Sequence, residues 1–161
     1  MTCLTAVAVF DEPRVKGLIH FRQVYGEFFT TVSFDLHSLP PNELRAVHVH
    51  EYGDIRKGCT SLGAHWNPHD TRHGSIFVDI YDSHAGDLTN NLRPDSKGNF
   101  IYQYQDPRIN LFGDVSLSII GRSVVIHENP DDLGLGGNKE SKITGNAGGR
   151  MACAIIAHSK S

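Results

Sequence analysis

The segment FFTTVSFDL, residues 28–36, decides the fold class of this chain. From Val32 to Leu36 its apolar and polar side chains alternate, and β-branched and aromatic residues dominate it. A period of two is typical of a β-strand that buries one face. Seven further segments have a similar strand-like character: residues 5–10, 17–21, 45–50, 99–105, 115–119, 123–127 and 150–157. Because turn-prone residues separate these segments and no long window has a helical period, we predict an all-β sandwich or barrel.

The composition favours one domain of ordinary size. The chain has 161 residues, of which 39% are apolar and 20% are charged. Its net charge is −3 and it has no basic block, which argues against nucleic acid or an anionic membrane as a partner. No apolar run approaches a membrane span, and the amino-terminal residues lack the basic region of a secretory signal. We therefore expect a single soluble domain, residues 1–161, located in the cytoplasm.

Two stretches, about residues 51–88 and 128–149, interrupt the strand pattern and are rich in Gly, His, Asp and Asn. Irregular connections of this length are uncommon in compact domains unless they are functional or are held by something. Histidine is the outlier of the composition, with ten in the chain, and a metal would use it. A crosslink is the other way to hold a loop, since Cys59 lies in the first stretch and Cys153 in the last strand segment.

One set of histidines has the character of a copper site. His48 and His50 flank one residue of a strand segment, so a period of two puts both imidazoles on one face. Such a pair alone is more often packing than a site, and His127 alone would be a solvent-exposed residue at a strand end. An all-imidazole group suits copper, which takes nitrogen ligands and cycles between two oxidation states. Its members would be His48, His50, His65 and His127.

The first loop offers a second set of ligands. Three imidazoles and a carboxylate complete the four-coordinate set that zinc accepts in structural sites, and they leave no position for water. These ligands would be His65, His73, His84 and Asp87. His65 would then serve both metals, one through each ring nitrogen, and would have to be an imidazolate.

Over essentially its whole length the sequence resembles the copper/zinc superoxide dismutases. The most specific stretch is GNAGGRMAC, residues 145–153. The others are AVHVHEYGD at residues 46–54, GCTS at residues 58–61 and HENPDDLG at residues 127–134. The resemblance implies an eight-stranded antiparallel Greek-key barrel, related to the immunoglobulin sandwich, with two long functional loops.

The reaction that the resemblance implies is the dismutation of superoxide. One superoxide ion gives its electron to copper and leaves as oxygen, and a second takes the electron and two protons to become hydrogen peroxide. The resemblance implies one copper and one zinc per subunit on the two ligand sets above, with His65 as the bridge. It also implies that Asp131 hydrogen-bonds His48 and His73. Arg150 matches the arginine that orients the anion beside copper, and Thr144 matches the residue that narrows the channel.

The resemblance further implies a disulfide between Cys59 and Cys153, with Cys3 left as a free thiol. It implies a homodimer with a copper chaperone as a partner of the chain. The interface positions carry apolar or small residues, namely Tyr52, Gly53, Ile120, Gly121, Ile155 and Ala157.

The match departs from the common pattern at the substrate channel. Superoxide is an anion and the chain is net negative, so capture requires a locally positive channel. The animal enzymes place a lysine immediately before the threonine, whereas here Ile143 has that place and Lys142 stands one position earlier. Asn129 replaces another frequent lysine. We predict steering that is weaker than in those enzymes, or that is rerouted through Lys142, Lys139 and Arg150.

The first loop departs from the family in two smaller ways. The spacer between His73 and His84 is about two residues longer than in the animal enzymes and is more apolar, which its position in a loop should absorb. His69 matches none of the ligand positions. We predict a surface histidine there, because the zinc set is already full.

Two other functions fit the sequence less well. A non-catalytic relative, such as the dismutase-like domain of a copper chaperone or a zinc-only module, typically loses a copper histidine or the channel arginine, or adds a Cys-x-x-Cys motif. This chain keeps all four copper positions and Arg150 and has no such motif. A sugar- or protein-binding sandwich would leave both metal sets unexplained. The sequence therefore favours a superoxide dismutase.

Overall fold

The computed structural model describes residues 2–160, which form mainly β-strands and loops. The strands are β1 (Cys3–Glu12), β2 (Val15–Val24), β3 (Thr30–His37), β4 (Arg45–His50), β5 (Arg56–Cys59), β6 (Asn91–Leu92), β7 (Phe100–Asp106), β8 (Ser123–His127) and β9 (Arg150–His158). A 3₁₀ turn at Ala85–Asp87 and one short helix, α1 (Ser141–Thr144), complete the elements of the described chain. Within residues 2–160 neither helix has the length or the apolar character needed to cross a membrane.

Eight of the strands form one antiparallel sheet in the order β6-β4-β8-β9-β1-β2-β3-β7. The strands at the two ends of this order, β6 and β7, are consecutive in the chain, so the sheet curls into a nearly closed barrel. The connections from β3 to β4 and from β7 to β8 join strands that are not neighbours, as a Greek key requires. The predicted all-β, eight-stranded Greek-key barrel is confirmed.

The alternating pattern of β3 explains how the barrel is filled. Val32, Phe34 and Leu36 are at most 2% exposed, while the residues between them face outward. They pack in one cluster with Ile19 and Phe21 of β2. Removing this apolar surface from water is the main stabilising contribution of the barrel. The barrel thus provides a rigid support for the two long loops.

The prediction of a strand at residues 115–119 is wrong, because the structure has a turn there. The Asp114 carboxylate accepts a hydrogen bond from the Ser116 backbone N–H at 2.8 Å, and the Asp114 carbonyl accepts from Leu117 and Ser118. These local bonds close a turn in place of a ladder, and Val115 is 88% exposed. The sheet keeps eight strands because β6, which the sequence did not predict, pairs with the start of β4.

Candidate metal centre

Two neighbouring strands and the loop after β4 bring the histidines together. β4 carries His48 and His50 and pairs antiparallel with β8, which ends at His127. The loop then folds back along β4, so that His65 forms an isolated β-bridge with His50. The next residue, Trp66, donates its backbone N–H to a carbonyl of β4 at 2.8 Å. His65 is therefore held against the strand that carries the other two imidazoles.

The first group of possible ligands consists of four buried imidazoles. Their ligand atoms lie within 4.8 Å of one another, and they belong to His48, His50, His65 and His127. His50 Nδ1 hydrogen-bonds the Gly63 carbonyl at 3.0 Å, and His127 Nδ1 hydrogen-bonds the Gly148 carbonyl at 3.3 Å. The Nε2 atoms of these two rings are 3.3 Å apart. Each backbone carbonyl thus fixes the ring so that Nε2 faces the group.

Burial disfavours the charged form of three of these imidazoles, which belong to His50, His65 and His127. It lowers the pKa of His50 to about 3, although the hydrogen bond to the Gly63 carbonyl raises that pKa, and Arg150 and His127 lower it further. Burial likewise lowers the pKa of His127 to about 3. The pKa of His65 lies well below its usual value for the same reason. A neutral imidazole is the form that binds one metal, so His50 and His127 need not lose a proton first, whereas His65 must lose its ring proton to bind two metals.

The second group is centred on the buried carboxylate of Asp87. Its Oδ2 accepts hydrogen bonds from the backbone N–H groups of Gly74 at 3.2 Å and His84 at 3.0 Å. Three ring nitrogens surround its Oδ1: His65 Nδ1 at 3.4 Å, His73 Nδ1 at 3.0 Å and His84 Nδ1 at 3.2 Å. The backbone thus orients the carboxylate, and the other oxygen points at the imidazoles.

The membership of this second group differs in one respect from the predicted zinc set. The ligand atoms that lie within 4.8 Å of one another belong to His48, His65, His73 and Asp87. His84, which the sequence predicts as a ligand, is not in that tightest group, although its Nδ1 is in hydrogen-bond contact with Asp87. His48 and His65 are common to both groups, so that His48 takes the place that the sequence predicts for His84.

Unpaired ring nitrogens test whether metals fit these groups. His48 Nδ1, His73 Nδ1 and both ring nitrogens of His65 are buried and have no hydrogen-bond partner among the described residues. His73 Nδ1 is close to Asp87 but is not aligned for a hydrogen bond. A buried polar atom without a partner costs about 1–3 kcal/mol, and a bound metal removes that cost. The residues therefore fit two metals, one on each side of His65.

Asp131 connects the two groups. Its Oδ2 hydrogen-bonds His48 Nε2 at 2.6 Å, and its Oδ1 hydrogen-bonds His73 Nε2 at 2.9 Å. Although burial raises the pKa of Asp131, the two imidazoles outweigh it and lower that pKa to about 2. Burial lowers the pKa of His73, but Asp131 and Asp87 raise it overall to about 9. The carboxylate thus stays charged and fixes one ring in each group.

Two asparagines complete this link, and the sequence analysis missed them. Asn90 Nδ2 donates to Asp131 Oδ2 at 3.1 Å and to the Gly74 carbonyl at 2.6 Å. Asn91 exchanges two hydrogen bonds with the Asp131 backbone, at 2.8 and 2.9 Å. The only signal in the sequence was a pair of adjacent asparagines shortly after Asp87. They join the end of the first loop to the start of the second.

A cavity of about 310 Å³ opens onto the first group. His50, His65 and His127 form part of its lining, and Thr144 and Arg150 are also among the lining residues. The Arg150 guanidinium donates to the carbonyls of Cys59 at 2.6 Å and Gly63 at 2.5 Å. A fixed cation in a cavity beside imidazoles suits a small anion.

The structure does not place Lys142 where the predicted rerouting of the steering would need it. Ile143 and Glu140 line the cavity, whereas Lys142 is not among its lining residues. The Lys142 backbone carbonyl accepts a hydrogen bond from the His73 backbone N–H at 2.9 Å. The charges of Arg72 and, to a smaller extent, Lys142 lower the pKa of Asp82. The structure therefore does not bring the Lys142 side chain into the cavity.

The cysteines pair as the resemblance implies. Cys59 and Cys153 form a disulfide with a Cα–Cα distance of 5.8 Å, and Cys3 is the free cysteine of the described chain. The disulfide ties the first loop to β9, and its Cys59 carbonyl is one of the two that hold Arg150. His69 is exposed and lies in neither ligand group, as predicted.

Comparison with known proteins gives a consistent result. The family model described as copper/zinc superoxide dismutase matches residues 15–156. A Cu-Zn superoxide dismutase of Neurospora crassa is 44% identical over 152 residues, which cover 94% of this chain and 96% of the relative. A Cu-Zn superoxide dismutase of Paramecium bursaria Chlorella virus 1 is 44% identical over 157 residues, which cover 98% of this chain and 80% of the relative.

A solved structure shares the architecture as well. The crystal structure of a protein called the clock protein EA4 superposes with a TM-score of 0.87. Its sequence is 39% identical, and the match covers 98% of this chain and 96% of that one.

Proposed function

This chain belongs to the copper/zinc superoxide dismutase family, and from that premise we propose which of its residues carry the activity. The protein is an oxidoreductase that converts two superoxide ions into oxygen and hydrogen peroxide, and its cofactors are copper and zinc. Bound copper supplies the one-electron exchange between the two superoxide ions. Zinc has no redox chemistry and has a structural role.

The proposed copper ligands are His48, His50, His65 and His127, and the proposed zinc ligands are His65, His73, His84 and Asp87. His48 and His65 belong to both groups, but His48 Nε2 is bonded to Asp131. The observation that carries this assignment is that both buried ring nitrogens of His65 lack a partner. His65 Nδ1 lies 3.4 Å from Asp87, which supports that nitrogen as the one on the zinc side. We assign His65 Nε2 as the atom that takes up and returns a proton during turnover.

Other residues of the cavity act on the substrate. The Arg150 guanidinium, held by two carbonyls, binds and orients the superoxide anion at the end of the cavity. Thr144 narrows the entrance, and its Oγ1 donates a hydrogen bond to Glu140 at 2.8 Å, which supports a fixed side chain there. Lys142 contributes to the electrostatic field from outside the cavity lining. Asp131 holds His48 and His73 in orientation.

Metal analysis and activity of the same samples test this assignment. The purified chain should contain one copper and one zinc per subunit and should consume superoxide. His127→Ala should lose copper and activity, and Arg150→Ile should keep copper and lose part of the activity. His69→Ala is the control, because His69 is an exposed histidine that lies in neither ligand group. A copper-loaded chain without activity, or a His127→Ala variant with full activity, would overturn the assignment.

We also propose a homodimer. Tyr52 is 57% exposed and Ile155 is 37% exposed, and both lie beside Gly53, where an added Cβ would touch the Gly121 backbone and the Ile155 side chain. An apolar patch with small residues supports close contact with a second copy. Sedimentation at micromolar concentration should give a dimer, and an exclusively 17.8 kDa species would contradict it.

We further propose one domain, loading by a copper chaperone and a cytoplasmic location. Residues 1–161 act as one domain with functional loops at about 51–88 and 128–149, which the single core of the barrel supports. A copper chaperone loads the copper, and the copper content of the chain expressed with and without a chaperone tests this loading route.

The location is cytoplasmic, and fractionation of the source cells tests this location.

A further inference from the structure

We propose that Arg108 is a positioning residue for the zinc site. Its guanidinium hydrogen-bonds the backbone at both ends of the segment from His84 to Leu88, which contains the zinc ligands His84 and Asp87. This inference rests on the proposed zinc ligands. Arg108 is not part of any motif that the sequence analysis used, and it lies two residues after the end of β7. Its backbone follows a strand of the barrel, and its side chain contacts the end of the first loop.

The contacts of Arg108 reach both ends of that segment. Its Nη1 donates to the His84 carbonyl at 3.1 Å and to Ser83 Oγ at 3.0 Å. Its Nη2 donates to the Leu88 carbonyl at 2.8 Å. The 3₁₀ turn Ala85–Asp87 lies between these two carbonyls and is buried. One guanidinium thus spans the turn on which Asp87 is carried.

Asp106 anchors the guanidinium to the barrel. The carboxylate accepts from Arg108 Nε at 3.1 Å and from Nη2 at 2.9 Å, so the pair is bidentate. The side chain of Asp106 is 0% exposed and that of Arg108 is 8% exposed. Tyr104 donates its hydroxyl to the same carboxylate at 3.0 Å. Charge-assisted, bidentate hydrogen bonds are strong and directional, so Arg108 is held in one geometry.

The backbone is strained at Leu88, whose carbonyl accepts a hydrogen bond from Arg108. Leu88, directly after Asp87, has φ 47° and ψ −130°, a conformation that residues with a Cβ rarely adopt. Such a conformation persists only where the surrounding structure holds it. The Leu88 side chain is completely buried, and its carbonyl is held by Arg108. Release of that carbonyl allows Leu88 to relax, and the relaxation rotates the adjacent Asp87 away from the imidazoles.

Lysine cannot replace arginine in this role. A planar guanidinium presents several donors in a fixed fork, whereas an ammonium is a single point charge. A lysine at position 108 keeps a positive charge near Asp106 but cannot reach the carboxylate and both carbonyls together. Arg108→Lys therefore separates the positioning role from simple charge compensation.

Cobalt(II) and zinc report on this site in the full-length chain, prepared metal-free and reloaded. Arg108→Lys and Arg108→Met should weaken zinc binding in competition with a chelator by about 10- to 100-fold, the usual cost of losing a residue that orients a ligand. Both variants should also change the visible absorption spectrum of bound cobalt, because that spectrum depends on ligand geometry. Arg72→Lys is the matched control, since Arg72 pairs with the exposed Asp82 in the same loop. It should leave affinity and spectrum unchanged.

The outcomes separate this inference from the proposed function. If the parent chain binds no cobalt, or if Asp87→Asn binds it unchanged, the zinc assignment itself fails and the inference fails with it. If the parent and Asp87→Asn behave as expected and Arg108→Lys matches the parent in affinity and spectrum, the inference alone is overturned, even if the thermal stability falls. Should Arg108→Met not fold, Arg108→Lys and the double variant Asp106→Asn/Arg108→Met, which leaves no unpaired buried charge, decide the question.

Discussion

The ladder of β1, β2 and β3 and the two long loops are held by different kinds of contact. β1 and β2 pair at ten successive positions, from Cys3 with Val24 to Glu12 with Val15, through backbone hydrogen bonds. The loops at residues 51–88 and 128–149 depend instead on side chains such as Asp131, Arg108 and the disulfide. Many equivalent bonds make the ladder tolerant of change. The loops are held by a small number of side-chain contacts of different kinds, so the loss of one such contact should change the loop conformation.

This difference predicts where a substitution acts. A change in the ladder should lower the free energy of unfolding and leave metal affinity unchanged. A change in the loops should alter metal affinity or activity more than it alters the barrel.

Removal of the disulfide should give the largest effect. Cys59 and Cys153 are separated by 94 residues, for which the chain-entropy model gives about 4–5 kcal/mol as an upper limit. Urea unfolding of the metal-free Cys59→Ser/Cys153→Ser variant should show this loss, and activity should also fall because the Cys59 carbonyl holds Arg150. Cys3→Ser is the control and should change neither. A double variant with parental stability and activity would contradict the idea that the loop needs this tie.

A pair of glycines compares the two regions directly. Gly145 has φ +66°, and an added Cβ would clash with Asp131 and His73. Gly17 has φ +108° in β2, and an added Cβ would clash with the Asp35 carbonyl. Gly145→Ala should weaken zinc binding by about 10- to 100-fold. Gly17→Ala should lower the free energy of unfolding by about 1–3 kcal/mol and leave zinc affinity unchanged.

Zinc competition and urea unfolding, applied to both variants, decide this comparison. The comparison fails if Gly17→Ala loses zinc as strongly as Gly145→Ala does. It also fails if Gly145→Ala loses stability while its zinc affinity stays at the parental value.

Acid should act on the site before it acts on the ladder. His50 and His127 each have a folded pKa of about 3 against an ordinary value of 6.5. Between these pH values the unfolded chain binds more protons, so the free energy of unfolding of the metal-free protein falls as the pH falls. We expect a loss of about 1.4 kcal/mol per pH unit for each imidazole below pH 6.5. His73, with a pKa of about 9, acts oppositely: its contribution is present below pH 6.5 and is lost as the pH rises through 9.

Urea unfolding of the metal-free chain at several pH values measures these slopes. His127→Gln should reduce the acid slope by about a third, because one of the three imidazoles whose pKa burial lowers, His50, His65 and His127, is then gone. An acid slope that is identical in His127→Gln and the parent would show that these imidazoles do not control it.

The smallest effect concerns the entrance of the cavity. Ile143 is 45% exposed and lines the cavity, so Ile143→Lys adds a positive charge on the path of the anion. We expect the second-order rate constant for superoxide to rise about two- to threefold at low ionic strength. High salt should remove the gain because it shortens the range of the field. Ile143→Met is the uncharged control, and a gain that persists at high salt would argue against steering.

Periodicity predicted the ladder well and failed where a side chain competes with the backbone. Residues 28–36 and 115–119 both have strand-like patterns, but only the first stretch contributes a strand to the sheet. The Asp114 carboxylate captures the backbone of the second stretch in a local turn. β6 was missed because two residues are too few for a pattern. For the candidate site, the sequence predicted the histidines and Asp87 by type, whereas Arg108 and Asn90 had no motif to reveal them.

By itself the sequence determined the all-β fold class, the residue types that could bind metals and, through the resemblance, the Cys59–Cys153 pair. The fold class and the ligand types follow from local spacing and from the chemistry of single side chains, whereas the cysteine pair follows from the resemblance alone. Only the tertiary structure decided which ring nitrogens lack partners, that Lys142 lies outside the cavity lining, and that Arg108 holds the segment of Asp87. The physical reason is that these contacts join distant parts of the chain, such as His48 with Asp131, 83 residues apart. No local pattern encodes the geometry of such a contact.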